Sequence, residues 1–231
     1  MPPAAPSLTS PLLELAGARA VASLAKRRLE KYQPYTKQRE FHAAGATHGE
    51  RLLIAGNQLG KSLAGSAEWA MHLTGRYPNW WTGAEFKRPV NLWAAGVTNE
   101  GTRDNPQRLL IGPPTQESAW GTGMIPKAAL IRTHRAMGIA NALDSATVSW
   151  GGGGDVQQGV SVLGFKSYEK GREKWQGPTL DGVWLDEECP PDIYTEALTR
   201  TNRGQRSQFL IMTFTPLQGM STVVRMFLMG D

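Results

Sequence analysis

Apolar residues in this chain follow two rhythms: short unbroken runs, and longer stretches in which they return every third or fourth position. Arg51 to Ala55, Val90-Asn91-Leu92-Trp93-Ala94-Ala95, Gly182 to Asp186 and Gln208 to Phe214 are each too short for a core helix, so each predicts a buried strand. Helical spacing covers Lys61 to Leu73 and Asp192 to Arg200. Strands alternating with helices predict an α/β protein built on a mainly parallel sheet flanked by helices. The middle of the chain departs from this pattern. Ala146 to Trp150 and Val160 to Phe165 alternate apolar with small or polar residues on either side of Gly151-Gly152-Gly153-Gly154, which predicts a hairpin with a flexible tip. Gly101 to Trp120 has no clear period, and no element is predicted there. Met1 to Pro11 is rich in Pro, Ala and Ser and predicts disorder. Ser10-Pro11 then caps an expected helix through about Lys31, apolar at Leu13, Ala16, Ala20 and Leu24 and serving either for packing or as a partner-binding arm.

The strand–helix pair around residue 60 carries the sharpest chemistry. Between Leu52-Leu53-Ile54-Ala55 and the helix lies Gly56-Asn57-Gln58-Leu59-Gly60-Lys61-Ser62, a glycine-flanked loop ending in Gly-Lys-Ser. A triphosphate tail needs several backbone N–H donors turned inward, which small residues at the turn allow, and the following helix adds its positive end. Lys61 is then placed to reach β- and γ-phosphate oxygens, and Ser62 to ligate the accompanying Mg2+. The usual pattern opens with glycine at the position held here by Ala55, which that site tolerates if φ is negative. A strand-to-helix turn that binds nothing is the plain alternative.

A matching half-site lies further on. Gly182-Val183-Trp184-Leu185-Asp186-Glu187-Glu188 is an apolar strand ending in carboxylates, with Asp186 suited to hold Mg2+ through its water shell and Glu187 to orient and deprotonate the attacking water. Glu188 reads as solvated or capping. Both motifs end predicted parallel strands, so both fall at one edge of the sheet. Gln38, within Tyr32 to Phe41, has an amide able to pair with an adenine edge, though the same stretch suits the start of a surface helix. Thr213-Phe214-Thr215-Pro216 closes the last strand, where the hydroxyls of Thr213 and Thr215 are placed to sense the γ-phosphate or merely to end the strand at proline.

Composition narrows the picture modestly. At 231 residues one large domain is favoured, and a net charge of +5 suits an acidic partner such as nucleic acid without a long basic run. A single cysteine, Cys189, excludes an internal disulfide framework, and four scattered histidines offer no metal-ligand spacing, in keeping with a reducing cytoplasm. No run approaches the roughly 18 apolar residues of a membrane span.

The order of these segments resembles the ATPase domain of the large terminase subunit, the DNA-packaging motor of tailed double-stranded DNA bacteriophages. The matching residues are Tyr35 to Phe41, Gly56 to Ser62, Val183 to Glu187 and Thr213 to Pro216, and the likeness covers about residues 32–230. It leaves the tail and helix read over 1–31 outside and implies, over 32–231, a P-loop ATPase domain of the additional-strand, catalytic-glutamate type. It also implies ATP and Mg2+ as cofactors, a homo-oligomeric ring on a portal protein, a small terminase subunit and double-stranded DNA as partners, and the host cytoplasm as its place. Three departures matter. Asn57 and Gln58 stand where many relatives carry a basic residue, and Gln176 stands where many carry arginine, with Arg172 and Lys174 close by. The nuclease domain expected of a full-length large terminase is absent from these residues. Because Asn57 and Gln58 are uncharged, the γ-phosphate charge calls for a cation from a neighbouring subunit, for which Arg172, Arg200 and Arg203 are candidates. Two other classes fit part of the pattern: one lobe of a helicase-like translocase, and a nucleotide-binding assembly protein with little turnover.

Overall fold

The computed structural model describes residues 28–151, 159–202, 209–216 and 221–229. Their elements, in chain order, are α1 (Thr36–Ala44), β1 (Glu50–Ile54), α2 (Lys61–Thr74), β2 (Asn91–Gly96), a composite helix α3 over 99–110, β3 (Leu130–Arg135), β4 (Leu143–Trp150), β5 (Gly159–Ser167), β6 (Gly182–Asp186), α4 (Pro191–Thr201), β7 (Leu210–Phe214) and α5 (Thr222–Met229).

Seven strands form one sheet in the order β1-β7-β6-β2-β5-β4-β3. β1, β7, β6, β2 and β5 run parallel, while β4 and β3 continue the sheet antiparallel. The unbroken apolar runs are explained by cover on both faces. Along β6, Trp184 joins the core on the α2 side, while Val183 and Leu185 join a second core with Ile193 and Ala197 of α4 and Val223 and Val224 of α5. β2 divides in the same way, with Leu92 and Ala94 on one side and Trp93 and Ala95 on the other. Gly65 lets α2 lie close to the sheet: a Cβ there would sit 2.6 Å from the Trp184 ring.

A buried polar knot fastens α1, β1 and α2 together. Glu68 of α2, fully buried, accepts from Arg51 Nη2 of β1 at 2.6 Å and lies 2.6 Å from His42 Nδ1 of α1 and 3.4 Å from His72 Nε2. Each ring's other nitrogen faces a tyrosine hydroxyl, Tyr32 at 2.9 Å from His42 and Tyr77 at 3.0 Å from His72. Each ring is therefore placed to donate to Glu68 through one nitrogen and to accept from a tyrosine through the other. Burial alone would raise the Glu68 carboxyl, but Arg51 and the hydrogen bonds from His42 and His72 outweigh it and hold it well below the usual carboxylate range. His72 is lowered too, its burial outweighing the opposing pull of Glu68 and disfavouring the protonated ring.

Four features bear on the sequence reading. Residues 28–31 form a turn, so the N-terminal helix does not continue to Lys31, and the tail and helix over 1–27 lie outside the described residues. β1 and β6 are not neighbours, because β7 lies between them. The hairpin of β4 and β5 is present with Ser149 facing Val160, although 152–158 of its tip lie outside the described residues. The unassigned stretch is largely helical, with α-helix at Asn99–Thr102, a π-helical turn at Arg103–Gln107 and a last α turn at Arg108–Leu110.

Candidate nucleotide-binding and catalytic site

β1 ends at Ile54 and α2 starts at Lys61, so the phosphate loop bridges a strand end and a helix N-terminus. The tight turn is made by Gln58 and Gly60, both left-handed at φ 60° and 75°, whereas Ala55 is not in that region and fits its place without strain. The first turn of α2 holds no acidic residue, leaving its positive end open to an anion. Lys61 folds back over the loop, Nζ donating to the Gly56 carbonyl at 2.8 Å. Gln38, buried on α1, spends its side-chain oxygen on the Tyr35 N–H at 2.9 Å and donates through Nε2 to the Gly60 carbonyl at 2.9 Å. It is at once the cap of α1 and a strut against the loop.

At the same edge of the sheet, Asp186 ends β6 almost fully buried. Thr213 of β7 donates to its Oδ1 at 2.7 Å while accepting from Trp184 Nε1 at 2.8 Å, so the intervening strand is bonded to the carboxylate. Burial pushes the Asp186 carboxyl up to about 6, opposed by the hydrogen bonds of Thr213, Ser62 and Asn105 and assisted by the adjacent Glu187. Glu187 sits in the left-handed region at φ 68°, a conformation costly for a non-glycine residue and concentrated at functional sites. Three bonds hold it there. Its N–H donates to the Thr213 carbonyl at 2.8 Å, and the Tyr168 hydroxyl donates to the carbonyls of Asp186 and Glu187 at 3.0 and 3.1 Å.

The strand end beyond β7 returns to the phosphate loop, where the Thr215 hydroxyl donates to Asn57 Oδ1 at 2.9 Å. Lys61, Ser62, Asp186, Thr213 and Thr215 are thus gathered in one constellation, with Glu187 next to it. Glu188, half-buried, is not the cap of α4, whose N-cap is Pro190. The cations lie elsewhere. Arg172 and Arg200 converge on one buried carboxylate, Glu196, at 2.9 and 3.0 Å, and Arg200 also donates to the Gly177 carbonyl at 2.8 Å. Arg203 lies outside the described residues. Asn105, absent from the sequence reading, donates through one amide nitrogen to Asp186 Oδ2 and, at 3.3 Å, to Ser62 Oγ. Tyr168 was equally silent in sequence. Its role comes from its place just after β5, from which the side chain reaches past β2 to the end of β6, and no local pattern announces it.

The donor set suits Mg2+. Ser62 and Asp186 present a hydroxyl and a carboxylate, hard oxygen ligands close enough to share the Asn105 amide, as fits a cation completing its shell with phosphates and water.

A phosphate loop after β1, carboxylates after β6 and an added strand β7 between them define a P-loop NTPase of the additional-strand type. The family model "Terminase large subunit, T4likevirus-type, N-terminal" matches residues 52–231, and the chain belongs to that family. It is 45% identical over 212 residues to a terminase large subunit of Salmonella phage P22, covering 87% of this chain and 42% of that protein. A terminase large subunit of Enterobacteria phage LP7 is 28% identical over 227 residues, covering 87% of this chain and 43% of that one. The chain therefore spans less than half the length of either relative. The fold is also that of the large terminase ATPase domain of Thermus phage P74-26, at a TM-score of 0.52 and 20% identity over 81% of this chain and 67% of that one.

Proposed function

We propose that this chain is the ATP-hydrolysing motor domain of a large terminase subunit, converting loss of the γ-phosphate into movement of double-stranded DNA into a procapsid. The observation that carries the reading is the meeting of Lys61 and Ser62 with Asp186 and Glu187 at one sheet edge, with β7 bonded to Asp186 through Thr213. A mere nucleotide binder has no need of a second carboxylate held in a strained conformation at that edge.

In this account Lys61 exchanges the Gly56 carbonyl for β- and γ-phosphate oxygens, and the N-terminal end of α2 receives the tail. Ser62 and Asp186 would hold Mg2+, which would supply neutralisation of phosphate charge. Glu187 accepts the proton of the attacking water as its oxygen bonds to the γ-phosphorus and the ADP oxygen departs. Gln38 keeps one N–H beyond its bond to Gly60 for the adenine edge. Asn57 and Gln58 line the loop as uncharged polar contacts, and Thr213 and Thr215 couple γ-phosphate loss to β7. Arg172, Arg200 and Arg203 remain the candidates for a cation supplied to a neighbour in a homo-oligomeric ring. The portal protein and the small terminase subunit are the proposed partners in the host cytoplasm. DNA cleavage is assigned to no residue of this chain.

Steady-state phosphate release with and without linear double-stranded DNA tests the reading. The motor predicts Mg2+-dependent turnover that rises with DNA. Nucleotide binding with no turnover under any assembly condition would favour an assembly protein instead.

A further inference from the structure

The phosphate loop and the carboxylate strand are joined by a third element that neither motif contains. Asn105 projects from the π-helical turn Arg103–Gln107 of α3, and its single NH2 group donates to both Asp186 Oδ2 and Ser62 Oγ, the latter at 3.3 Å. That NH2 lies between the two oxygens assigned to the nucleotide's cation. Amide hydrogens carry partial positive charge, so they and a divalent cation cannot share the position. The amide has to rotate and present its oxygen, or withdraw.

The turn that carries Asn105 is suited to such a change. A π turn is a wide, uncommon helical geometry found mostly at functional sites, and Pro106, next along, brings no N–H to the ladder in any register. Before it, α3 is anchored, with Thr98 Oγ1 accepting from the Gly101 N–H at 2.9 Å and the Thr102 hydroxyl donating to the Lys166 carbonyl at 2.9 Å. The same π turn grips the connection between β3 and β4. Gln107 donates to the Asn141 carbonyl at 2.9 Å and accepts from the Leu143 N–H at 2.8 Å, and Arg103 donates to the Ala140 carbonyl at 3.0 Å. Asn141 is itself left-handed at φ 60°, and Met137 at the tip of this connection is 95% exposed. One five-residue turn therefore touches the cation position with one side chain and holds a surface connection with two others.

We propose that Asn105 is a positioning residue that senses cation occupancy at the nucleotide site and passes it through the π turn of α3 to the 136–143 connection. This rests on the nucleotide-site reading above. It gives the nucleotide state a second outlet, towards the antiparallel edge of the sheet, separate from the one through Thr213 and Thr215.

Backbone hydrogen exchange followed by mass spectrometry tests this on the full chain with ADP alone, Mg2+ alone, and ADP with Mg2+, with calorimetry run in parallel. In the wild type, exchange across 136–143 should shift by about threefold or more only when ADP and Mg2+ are both present. Asn105→Ala should bind ADP–Mg2+ within about fivefold of wild type, one neutral hydrogen-bonding group having been removed, yet leave 136–143 unresponsive. Gln107→Ala, which leaves the site untouched, should bind as wild type and also lose the response, so the proposal stays testable if Asn105→Ala fails to fold. A wild type that binds ADP–Mg2+ without any change at 136–143, or variants that respond as it does, would overturn the proposal. Failure of the wild type to bind ADP–Mg2+ at all would instead overturn the nucleotide-site reading on which it rests.

Discussion

The Thr215 hydroxyl donates to Oδ1 of Asn57 at 2.9 Å, joining the end of β7 to the phosphate loop across 158 residues of sequence. Together with the Thr213–Asp186 bond it makes β7 a strut with one contact on each half of the site. Thr215→Val keeps the shape and removes the donor. DNA-stimulated hydrolysis should fall roughly five- to tenfold, the worth of about one hydrogen bond, while ATP affinity by calorimetry changes little. Equal losses in affinity and rate would make Thr215 a loop support rather than a coupling residue.

Lys61→Ala should weaken Mg2+–ATP binding by about 10- to 100-fold, because a charge-assisted contact to the phosphates is lost. The native bond of Lys61 to the Gly56 carbonyl is a single link at the rim of the fold, so thermal stability should move little. Unchanged affinity would remove Lys61 from the site.

Glu68→Gln should cost roughly 3–5 kcal/mol in denaturant unfolding, since it strands the buried Arg51 guanidinium. The same knot sets an acid limit. Below about 6.5 the unfolded chain protonates His72 while the buried ring does not, and below about 4.5 it protonates Glu68 while the native carboxylate resists. Both make the unfolded state bind more protons, so stability should decline as pH falls through each range. A chain equally stable at pH 7 and pH 5 would contradict this account of the knot.

Among the candidate trans-acting cations, Arg172 has its Nε on Glu196 while its side chain is 56% exposed, leaving the outer edge of the guanidinium available to a neighbour. Arg172→Ala should lower assembled turnover by about 10³- to 10⁵-fold if it serves that role. Mixing it with Glu187→Gln should restore activity, because one class of interface then has both groups. No recovery in verified assemblies would leave Arg172 as the surface partner of Glu196.

The buried strands and the two motifs of the candidate site are legible because their signals are local. Four buried runs, a Gly-Lys-Ser turn and an Asp-Glu strand end each declare themselves within about ten residues. What stayed hidden was non-local or aperiodic. β3 is an edge strand of Leu-Ile-Arg-Thr-His-Arg with four of its six side chains exposed, so it lacks the apolar alternation that marks a strand. α3 is interrupted by a π turn and a proline, which breaks the period on which helix detection rests. The insertion of β7 between β1 and β6 is a fact of strand order, invisible to local pattern, and the resemblance to terminases supplied it. The Gln38 amide suits an adenine edge by its chemistry, whereas its bond to Gly60 follows from the packing of α1 on the loop.

The central claim is that Asp186 and Glu187 divide their labour, one holding the cation and the other taking a proton from water. Single-turnover hydrolysis measured beside Mg2+–ATP affinity, for Glu187→Gln and Asp186→Asn, tests it most directly. Glu187→Gln should bind Mg2+–ATP within a few-fold of wild type while the chemical step slows by about 10²- to 10⁴-fold, whereas Asp186→Asn should lose affinity as well. Equal loss of binding in both variants, or hydrolysis by Glu187→Gln within tenfold of wild type, would contradict the account.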